Sequence, residues 1–157
     1  ALNGPAFGAA CSVALLSDLR VATPAVTFSD PHVKRGLTAG LGVGIWSLYL
    51  GPARSKRFLL LGETMSASQA NHYGMVDAVV SEEKRMTVAM EWAGMLAAQP
   101  PLAVSHTKLL ANRLIAQTLD ATQAIGMAWQ AQDFRTADHA EAIAAFREGR
   151  SPTFQGR

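Results

Sequence analysis

Two consecutive prolines, Pro100 and Pro101, divide the chain of 157 residues into two regions with different patterns. Before the prolines, short β-prone stretches alternate with helical stretches, and glycines mark many of the junctions. After the prolines, the spacing of apolar residues is helical throughout. We therefore predict an α/β fold, with a mixed strand–helix region over residues 1–98 and a helical region over residues 99–157.

The clearest boundaries in the first region come from a capping box and from glycines. Ser66 and Gln69 have the spacing of a capping box, and Gly74 suits the left-handed residue after that helix. Two further helices, Ile45–Leu50 and Ala53–Leu61, are expected to stop at the glycines that follow them. The remaining predicted elements are a helix near the start of the chain, short strands at 19–23, 26–28 and 75–80, and a helix over 84–98.

Three helices are predicted in the second region. The first covers Leu102–Ala116 and the second Leu119–Phe134. The third begins at Asp138, which resembles an N-cap because Glu141 stands at the capping-box position, and runs to about Arg147. The polar stretch after this helix is predicted to be extended.

Composition and charge exclude several classes of protein. Hydrophobic residues make up 49% of the chain and charged residues 17%, which is typical of a globular protein rather than a disordered one. The net charge is +2 and the basic residues are scattered, so no nucleic-acid surface is predicted. Cys11 is the only cysteine, so no intrachain disulfide is possible, and we expect a reducing compartment, the cytoplasm.

One uncharged stretch, Gly36–Ala53, is long enough to raise the question of a membrane span. Glycines fill its first half, and Gly51 and Pro52 interrupt its end. The stretch is therefore predicted to be a buried loop followed by a short core helix, and no membrane association is expected. Within it, "GLGVG" at residues 40–44 lacks the preceding strand and the third glycine of a dinucleotide-binding loop.

The histidines do not form a metal site in the sequence, because no pair has the spacing of metal ligands on a helix. His72, His106 and His139 are predicted to lie on helix surfaces. His32 differs from them, because it follows Asp30 and a proline just before the glycine-rich loop. No serine-hydrolase motif surrounds any serine.

Small residues dominate the segment "GPAFGAACS" near the start of the chain, which suggests that a ligand approaches the backbone closely there. This segment belongs to a longer one, "ALNGPAFGAACSVALLSDLRVATPAVTFSDPHVKRGLTAGLGVG". Together with "LLGETMSASQANHYGMVDAVV" and "EAIAAFREGRSPTFQGR", it resembles the C-terminal portion of the enoyl-CoA hydratase/isomerase (crotonase) family. The resemblance runs in register from the first residue to the last.

The resemblance implies both an architecture and a substrate class. Residues 1–98 would form part of a crotonase-like spiral of ββα units, and residues 99–157 a helical region that builds homotrimers or hexamers. The substrates would be acyl-CoA thioesters, with no cofactor beyond the coenzyme A of the substrate. Family members carry a long segment before "NGPAFG" that supplies one of two oxyanion-hole amides, so we expect this chain to be part of a longer one.

By register with the family, Ala9 holds the position of the second oxyanion-hole amide, and Gly8 and Ala10 flank it as substrate-binding residues. Hydratases of the family use two glutamates, and these fall at Ser12 and His32. Neither residue is a carboxylate. His32 is nevertheless a candidate acid or base because its ordinary pKa lies near neutrality. The alternative is a histidine that packs at the pocket edge, with Asp30 orienting it or capping the turn.

Three further positions are implied to touch the substrate. Gly40 falls at a third acidic position of some relatives, and Leu41 falls where others have aspartate. Phe146 would offer an aromatic face to the coenzyme A adenine, although Gly149 replaces a lysine that is common in this region. The implied function is acyl-CoA chemistry through an oxyanion hole, other than two-glutamate hydration. The alternative is an inactive or truncated homologue that binds acyl-CoA or only assembles.

Overall fold

Five short strands form two small sheets, and six α-helices surround and extend them. The computed structural model describes all 157 residues. The strands are β1 (Ala6–Phe7), β2 (Val21–Ala22), β3 (Thr27–Ser29), β4 (Thr64–Ser66) and β5 (Ala78–Val79). The helices are α1 (Ala9–Leu16), α2 (Gly42–Leu61), α3 (Ala67–His72), α4 (Glu82–Ala97), α5 (Pro101–Asp133) and α6 (Ala137–Glu148), together with a 3₁₀ helix at His32–Arg35.

The first sheet has the order β1-β3-β4, in which β1 runs parallel and β4 antiparallel to β3. The second sheet pairs β2 and β5 in parallel. Fully buried side chains from the sheets and from α1 and α2 form one core, which includes Leu15, Phe28, Ile45, Trp46 and Met65. Burial of each such side chain contributes about 1.5–3 kcal/mol, so this core fixes the position of α1 and α2 over the sheet.

The glycine and capping-box boundaries are confirmed. The backbone of α2 breaks at Gly51, where φ is 68°, and α2 ends at the left-handed Gly62, where φ is 57°. The Ser66 hydroxyl accepts from the Gln69 amide at 3.2 Å, and the Ser66 amide donates to the Gln69 side chain at 3.0 Å. Gly74 follows α3 with a φ of 75°.

The short strands at 19–23 and 26–28 are confirmed within one or two residues by β2 and β3. The predicted strand at 75–80 is regular only at β5, because only those two residues pair with β2. The short strand β4 was not predicted, since its three residues precede a capping box and show no alternating pattern. The stretch Gly36–Ala53 forms a loop and the buried start of α2, and none of the helices is long and apolar enough to span a bilayer.

The prediction of two helices at Leu102–Ala116 and Leu119–Phe134 is wrong, because α5 is continuous. No glycine or proline lies between the two predicted segments. The Thr118 hydroxyl, a group that often favours a break, instead donates to the Leu114 carbonyl at 3.1 Å within the helix. The helix therefore continues through this point for 33 residues.

The predicted N-cap of the last helix is also wrong. Thr136 caps α6, because its hydroxyl accepts from the His139 amide at 3.1 Å. Asp138 lies in the first turn instead, and its carboxylate accepts from the amides of Gln155 and Gly156, each at 2.7 Å. Glu141 accepts from the Arg150 guanidinium and from the Thr153 amide, each at 2.9 Å, so the two acidic residues hold the extended C-terminal tail against α6.

Close backbone contact between glycines joins the helical region to the first region. Gly40, in the loop before α2, lies against Gly126 of α5, so a Cβ at Gly126 would lie 2.8 Å from the Gly40 carbonyl oxygen. One turn further along α2, a Cβ at Gly44 would lie 2.9 Å from the Thr122 hydroxyl. These distances leave no room for side chains at the three glycines, so α5 meets the loop through main chain at Gly40 and packs its own side chains on the main chain of α2 at Gly44.

We expect Gly126→Ala to destabilise the protein by about 1–3 kcal/mol, because the added methyl forces α5 away from the loop. Gly94→Ala is the matched control, since Gly94 lies inside α4 with nothing within 4 Å of its Cβ position. That control is expected to gain about 0.5–1 kcal/mol. Urea unfolding followed by circular dichroism measures both changes, and equal stabilities of the two variants would contradict the glycine contact.

Candidate functional site

The first helix begins at a strained glycine that no other residue type replaces easily. Gly8 has a φ of 55° and a ψ of −120° and is the N-cap of α1. Its amide donates to the Ser29 carbonyl at 2.9 Å, and its carbonyl accepts from the Ser12 amide at 3.1 Å. No residue other than glycine has a positive φ in this structure, so Ala9 carries no left-handed strain. The turn therefore depends on Gly8 alone.

The first two amides of α1 are free to bind a ligand. Ala9 and Ala10 are exposed, no side chain caps the helix, and neither N–H group donates a hydrogen bond within the protein. The N-terminal end of a helix carries a partial positive charge together with unpaired donors. Developing negative charge on a substrate oxygen is favoured at such a place.

His32 lies beside this helix start. A Cβ at Gly8 would lie 3.6 Å from Cε1 of the His32 ring, so the ring packs on the glycine backbone. The His32 Nδ1 atom hydrogen-bonds the Asp30 carboxylate, and the side chain is 27% exposed. This hydrogen bond raises the pKa of His32, burial partly opposes the rise, and the charge of Asp30 adds to it. The structure thus brings together three of the predicted positions, Gly8, Ala9 and His32.

Asp30 is buried beneath His32, with only 1% of its surface exposed. It packs against the first residue of α2, because a Cβ at Gly42 would lie 2.0 Å from the carboxylate oxygen Oδ2. Cys11 faces the same carboxylate. Burial, and to a smaller extent the charge of Asp30, raise the pKa of the Cys11 thiol to about 12, so it remains neutral and is no nucleophile.

Sequence reasoning missed the role of Gly42 and the depth at which Asp30 is buried. The signal for Gly42 was its place in the glycine-rich loop, which favours close backbone approach. No pattern in the sequence indicates that the approaching group is a carboxylate.

Ser12 lies in the second turn of α1 and is buried. Its hydroxyl makes no hydrogen bond with another residue, so no general base contacts it. A serine without a neighbouring base is a weak nucleophile. The position therefore contributes volume and a polar atom to the site, and it supplies no titratable group.

The other predicted positions lie further along the same edge. Gly40 is buried against α5, as described above, and Leu41 is the N-cap of α2 and packs on the core. Phe146 on α6 is 65% exposed, and the Arg35 guanidinium lies 3.9 Å from its ring centroid. The 3₁₀ helix that carries His32 also carries Arg35, and so it connects Phe146 to the site.

The prediction that all three remaining histidines lie on helix surfaces is wrong for His139. That residue is half-buried, and its Nδ1 donates to the Arg35 carbonyl at 2.7 Å. Its ring also packs edge-on against Phe134, with centroids 5.2 Å apart. His72 and His106 are exposed as predicted.

One cavity lies away from these residues. It has a volume of about 570 Å³ and separates the C-terminal end of α1 from the first half of α5. Arg20 lines it, and the guanidinium donates to the Ser17 carbonyl at 2.5 Å and to the Tyr49 hydroxyl at 3.0 Å. Arg20 is therefore bonded to the protein on this side of the cavity.

Comparison with known proteins identifies the family of this chain. The sequence model described as enoyl-CoA hydratase/isomerase matches residues 1–157. The chain is 35% identical to 1,2-epoxyphenylacetyl-CoA isomerase of Escherichia coli (strain K12), with 100% of this chain and 60% of that protein covered. It is 31% identical to crotonyl-CoA hydratase of Syntrophomonas wolfei, with 98% and 60% covered.

The solved structures agree with these relatives. Carnitinyl-CoA dehydratase from Mycobacterium avium 104 has a TM-score of 0.89 and 31% identity, with 98% of this chain and 62% of that chain covered. The predicted partial crotonase fold with a helical C-terminal region is thereby confirmed. The chain spans about 60% of the length of the relatives it matches. It belongs to the enoyl-CoA hydratase/isomerase family.

Proposed function

We propose that this chain supplies one half of an oxyanion hole for acyl-CoA thioesters, with the Ala9 amide as donor. The observation that carries the proposal is the pair of unbonded amides at the exposed start of α1. A donor held by the fold stabilises the negative charge of an enolate or tetrahedral intermediate without reorganising. The activity of the whole protein is part of the same proposal, because the chain spans only part of its relatives.

The chemistry proposed is proton transfer other than two-glutamate hydration. Ser12 cannot titrate in the working pH range, so His32 is the group at this edge that can accept and release a proton near neutrality. Its ring packs on Gly8, one residue from the proposed donor. The proposed reaction therefore pairs one backbone donor with one imidazole, and no cofactor beyond the coenzyme A of the substrate enters it.

Phe146 supports the coenzyme A part of the proposal. Arg35 covers one face of the ring, and most of the side chain remains exposed. An exposed ring beside a cation suits an adenine base and an adjacent phosphate. The positions of Gly40 and Leu41 support a structural role, because both are engaged in packing.

The second candidate function is a homologue that binds acyl-CoA, or only assembles, without catalysis. It is favoured by the contact of Gly40 with Gly126, since a position that is acidic in some relatives serves helix docking here. Acetyl-CoA distinguishes the two functions. An enzyme exchanges the α-protons of acetyl-CoA with D₂O, whereas a binding protein gives calorimetric heat without exchange.

Assembly as a homotrimer or hexamer, in the cytoplasm, completes the proposal. The helices α4 and α5 expose many large apolar side chains, among them Met90, Leu109, Leu110 and Leu114. Soluble monomers rarely leave so many apolar side chains along one pair of helices. A second copy of the chain is the occupant we propose for this surface. The unpaired thiol of Cys11 agrees with a reducing compartment.

We expect Ala9→Pro to lower the rate of α-proton exchange of acetyl-CoA by about a hundredfold or more, because it removes one oxyanion donor. Proline is favoured at the first position of a helix, so the fold is retained. Ala9→Gly keeps the N–H group and is the matched control. Mass spectrometry of acetyl-CoA in D₂O measures the rate, and unchanged exchange in Ala9→Pro would contradict the proposed role of this amide.

We expect His32 to stabilise the protein at acidic pH. Its pKa in the folded protein is raised above the unfolded value of 6.5, so the stabilisation is fully present below that value and is lost as the pH rises through the raised pKa. His32→Gln should therefore lower the free energy of unfolding more at about pH 5.5 than at about pH 8.5. His106→Gln, at an exposed site, is the control, and urea unfolding at both pH values is the measurement. An equal loss at both would contradict the ion pair.

We expect Leu110→Asp to reduce the mass of the full-length protein in solution to that of a monomer, since a charge at the centre of an apolar interface cannot be solvated. Gln123→Asp adds the same charge to the same helix and is expected to leave the assembly intact. Light scattering coupled to size-exclusion chromatography measures both masses. A wild-type monomer, or a Leu110→Asp oligomer of wild-type mass, would contradict the proposed surface.

A further inference from the structure

We propose that Asp30 and His32 form a proton-transfer pair beside the Ala9 amide, in which Asp30 is the positioning residue and His32 Nε2 exchanges the proton with the acyl-CoA. This inference rests on the proposed function. It goes beyond it by assigning the ring nitrogen, the residue that holds the ring and the glycine that makes room for that residue.

Burial of the Asp30 carboxylate is costly unless partners stabilise its charge. A carboxylate that is 1% exposed loses its hydration, and it persists only where partners replace the water. The only side chain that hydrogen-bonds it is His32, and the His32 amide approaches the same oxygen at 3.4 Å. The carboxylate also lies against the first turn of α2, whose dipole favours negative charge.

Gly42 leaves the space that the Asp30 carboxylate occupies. Any side chain at residue 42 would place a Cβ 2.0 Å from Asp30 Oδ2, so the carboxylate reaches its position only because that residue is glycine. The glycine thus allows the carboxylate to hold the His32 ring. Helix packing alone does not require a charged group there.

The hydrogen bond with Asp30 also selects the tautomer of the His32 ring. Because a carboxylate only accepts, the neutral ring donates its Nδ1–H to Asp30, and the lone pair is then on Nε2. The Nε2 atom has no partner in the protein and is not buried. The adjacent ring atom, Cε1, packs on Gly8, so Nε2 lies at the edge where the Ala9 amide is free.

The proton step balances within these groups. Neutral His32 takes a proton at Nε2 from the carbon next to the thioester carbonyl, and the electron pair of that C–H bond forms the enolate. The enolate oxygen lies at the Ala9 amide, and Asp30 stabilises the imidazolium. Return of the proton to another carbon, or to the other face of the same carbon, gives an isomer with no net gain or loss of atoms or electrons.

The other titratable groups near His32 are either neutral or in contact with other parts of the protein. The Cys11 thiol is neutral, the Lys34 chain packs along Gly62, and Arg35 lies over Phe146. On α6, His139 donates to the Arg35 carbonyl and Asp138 binds the tail amides. Asp30 is accordingly the only charged group among the causes that shift the pKa of His32.

The test of the pair is nuclear magnetic resonance of the ¹⁵N-histidine-labelled full-length protein without substrate. In the wild type we expect the Nδ1–H tautomer above the His32 pKa, and a pKa above the ordinary 6.5. In Asp30→Asn, which keeps the shape of the side chain, the pKa should fall below 6.5 because only burial remains. An Nε2–H tautomer in the wild type, or an unmoved pKa in Asp30→Asn, would overturn the pair.

A second variant changes the carboxylate position and no titratable group. Gly42→Ala should displace Asp30 and lower the His32 pKa in the same direction, whereas Gly94→Ala, at an open helix position, should leave it unchanged. If Gly42→Ala leaves the His32 resonances and pKa as in the wild type, the positioning role is overturned.

Kinetics separates the pair from the proposed function. The acidic limb of the pH profile of α-proton exchange should move to lower pH in Asp30→Asn, with kcat lower by about 10²–10⁴ and KM little changed. A lower kcat with an unmoved limb would mean a merely structural Asp30 and would overturn the inference. Absence of exchange in the wild type would overturn the proposed function, while the substrate-free spectra decide the tautomer separately.

Discussion

The hydrogen bond from the Gly8 amide to the Ser29 carbonyl holds the two halves of the candidate site together. On one side of it, the chain passes at once into Ala9 and the free amides of α1. On the other side, it passes at once into Asp30 and then His32. This main-chain bond, at the end of the β1–β3 pairing, thus sets the distance between the proposed anion-binding element and the proposed proton-transfer residue. Gly8 makes this possible, because its positive φ turns the chain from a strand into a helix within one residue.

The partial charges of two helix ends stabilise a carboxylate beside that junction. Two helices, α1 and α2, begin at this edge, and the N-terminal end of each carries a partial positive charge. The Asp30 carboxylate lies against Gly42 in the first turn of α2, whereas the first two amides of α1 have no partner. The same kind of partial charge therefore favours the carboxylate at one helix start and the proposed substrate oxygen at the other. Ser12 adds no negative charge beside α1, which keeps the free helix start suited to an anion.

Local signals in the sequence were sufficient for much of the fold. The capping box of Ser66 and the positive-φ glycines Gly51, Gly62 and Gly74 each act through their own backbone, so the spacing alone identifies them. Long-range effects were not accessible in this way. Asp138 resembles a cap, but the C-terminal tail binds its carboxylate, and Thr136 takes the capping role. For the site, register with the family identified Ala9 and His32 as positions, whereas the burial of Asp30 depends on Gly42, which only the folded chain brings near.

The glycine contact between α5 and the loop before α2 is one of several points that attach the C-terminal half of α5 to the site. Thr122 packs on Gly44, Gly126 packs on Gly40, and Asp133 accepts from the Thr38 amide at 2.6 Å. These contacts extend along about 16 Å of the helix, from Thr122 to Asp133. The exposed leucines of the first half of α5 are therefore on the same rigid helix as the residues that hold the start of α2, so a partner that packs on them contacts an element that also borders Asp30.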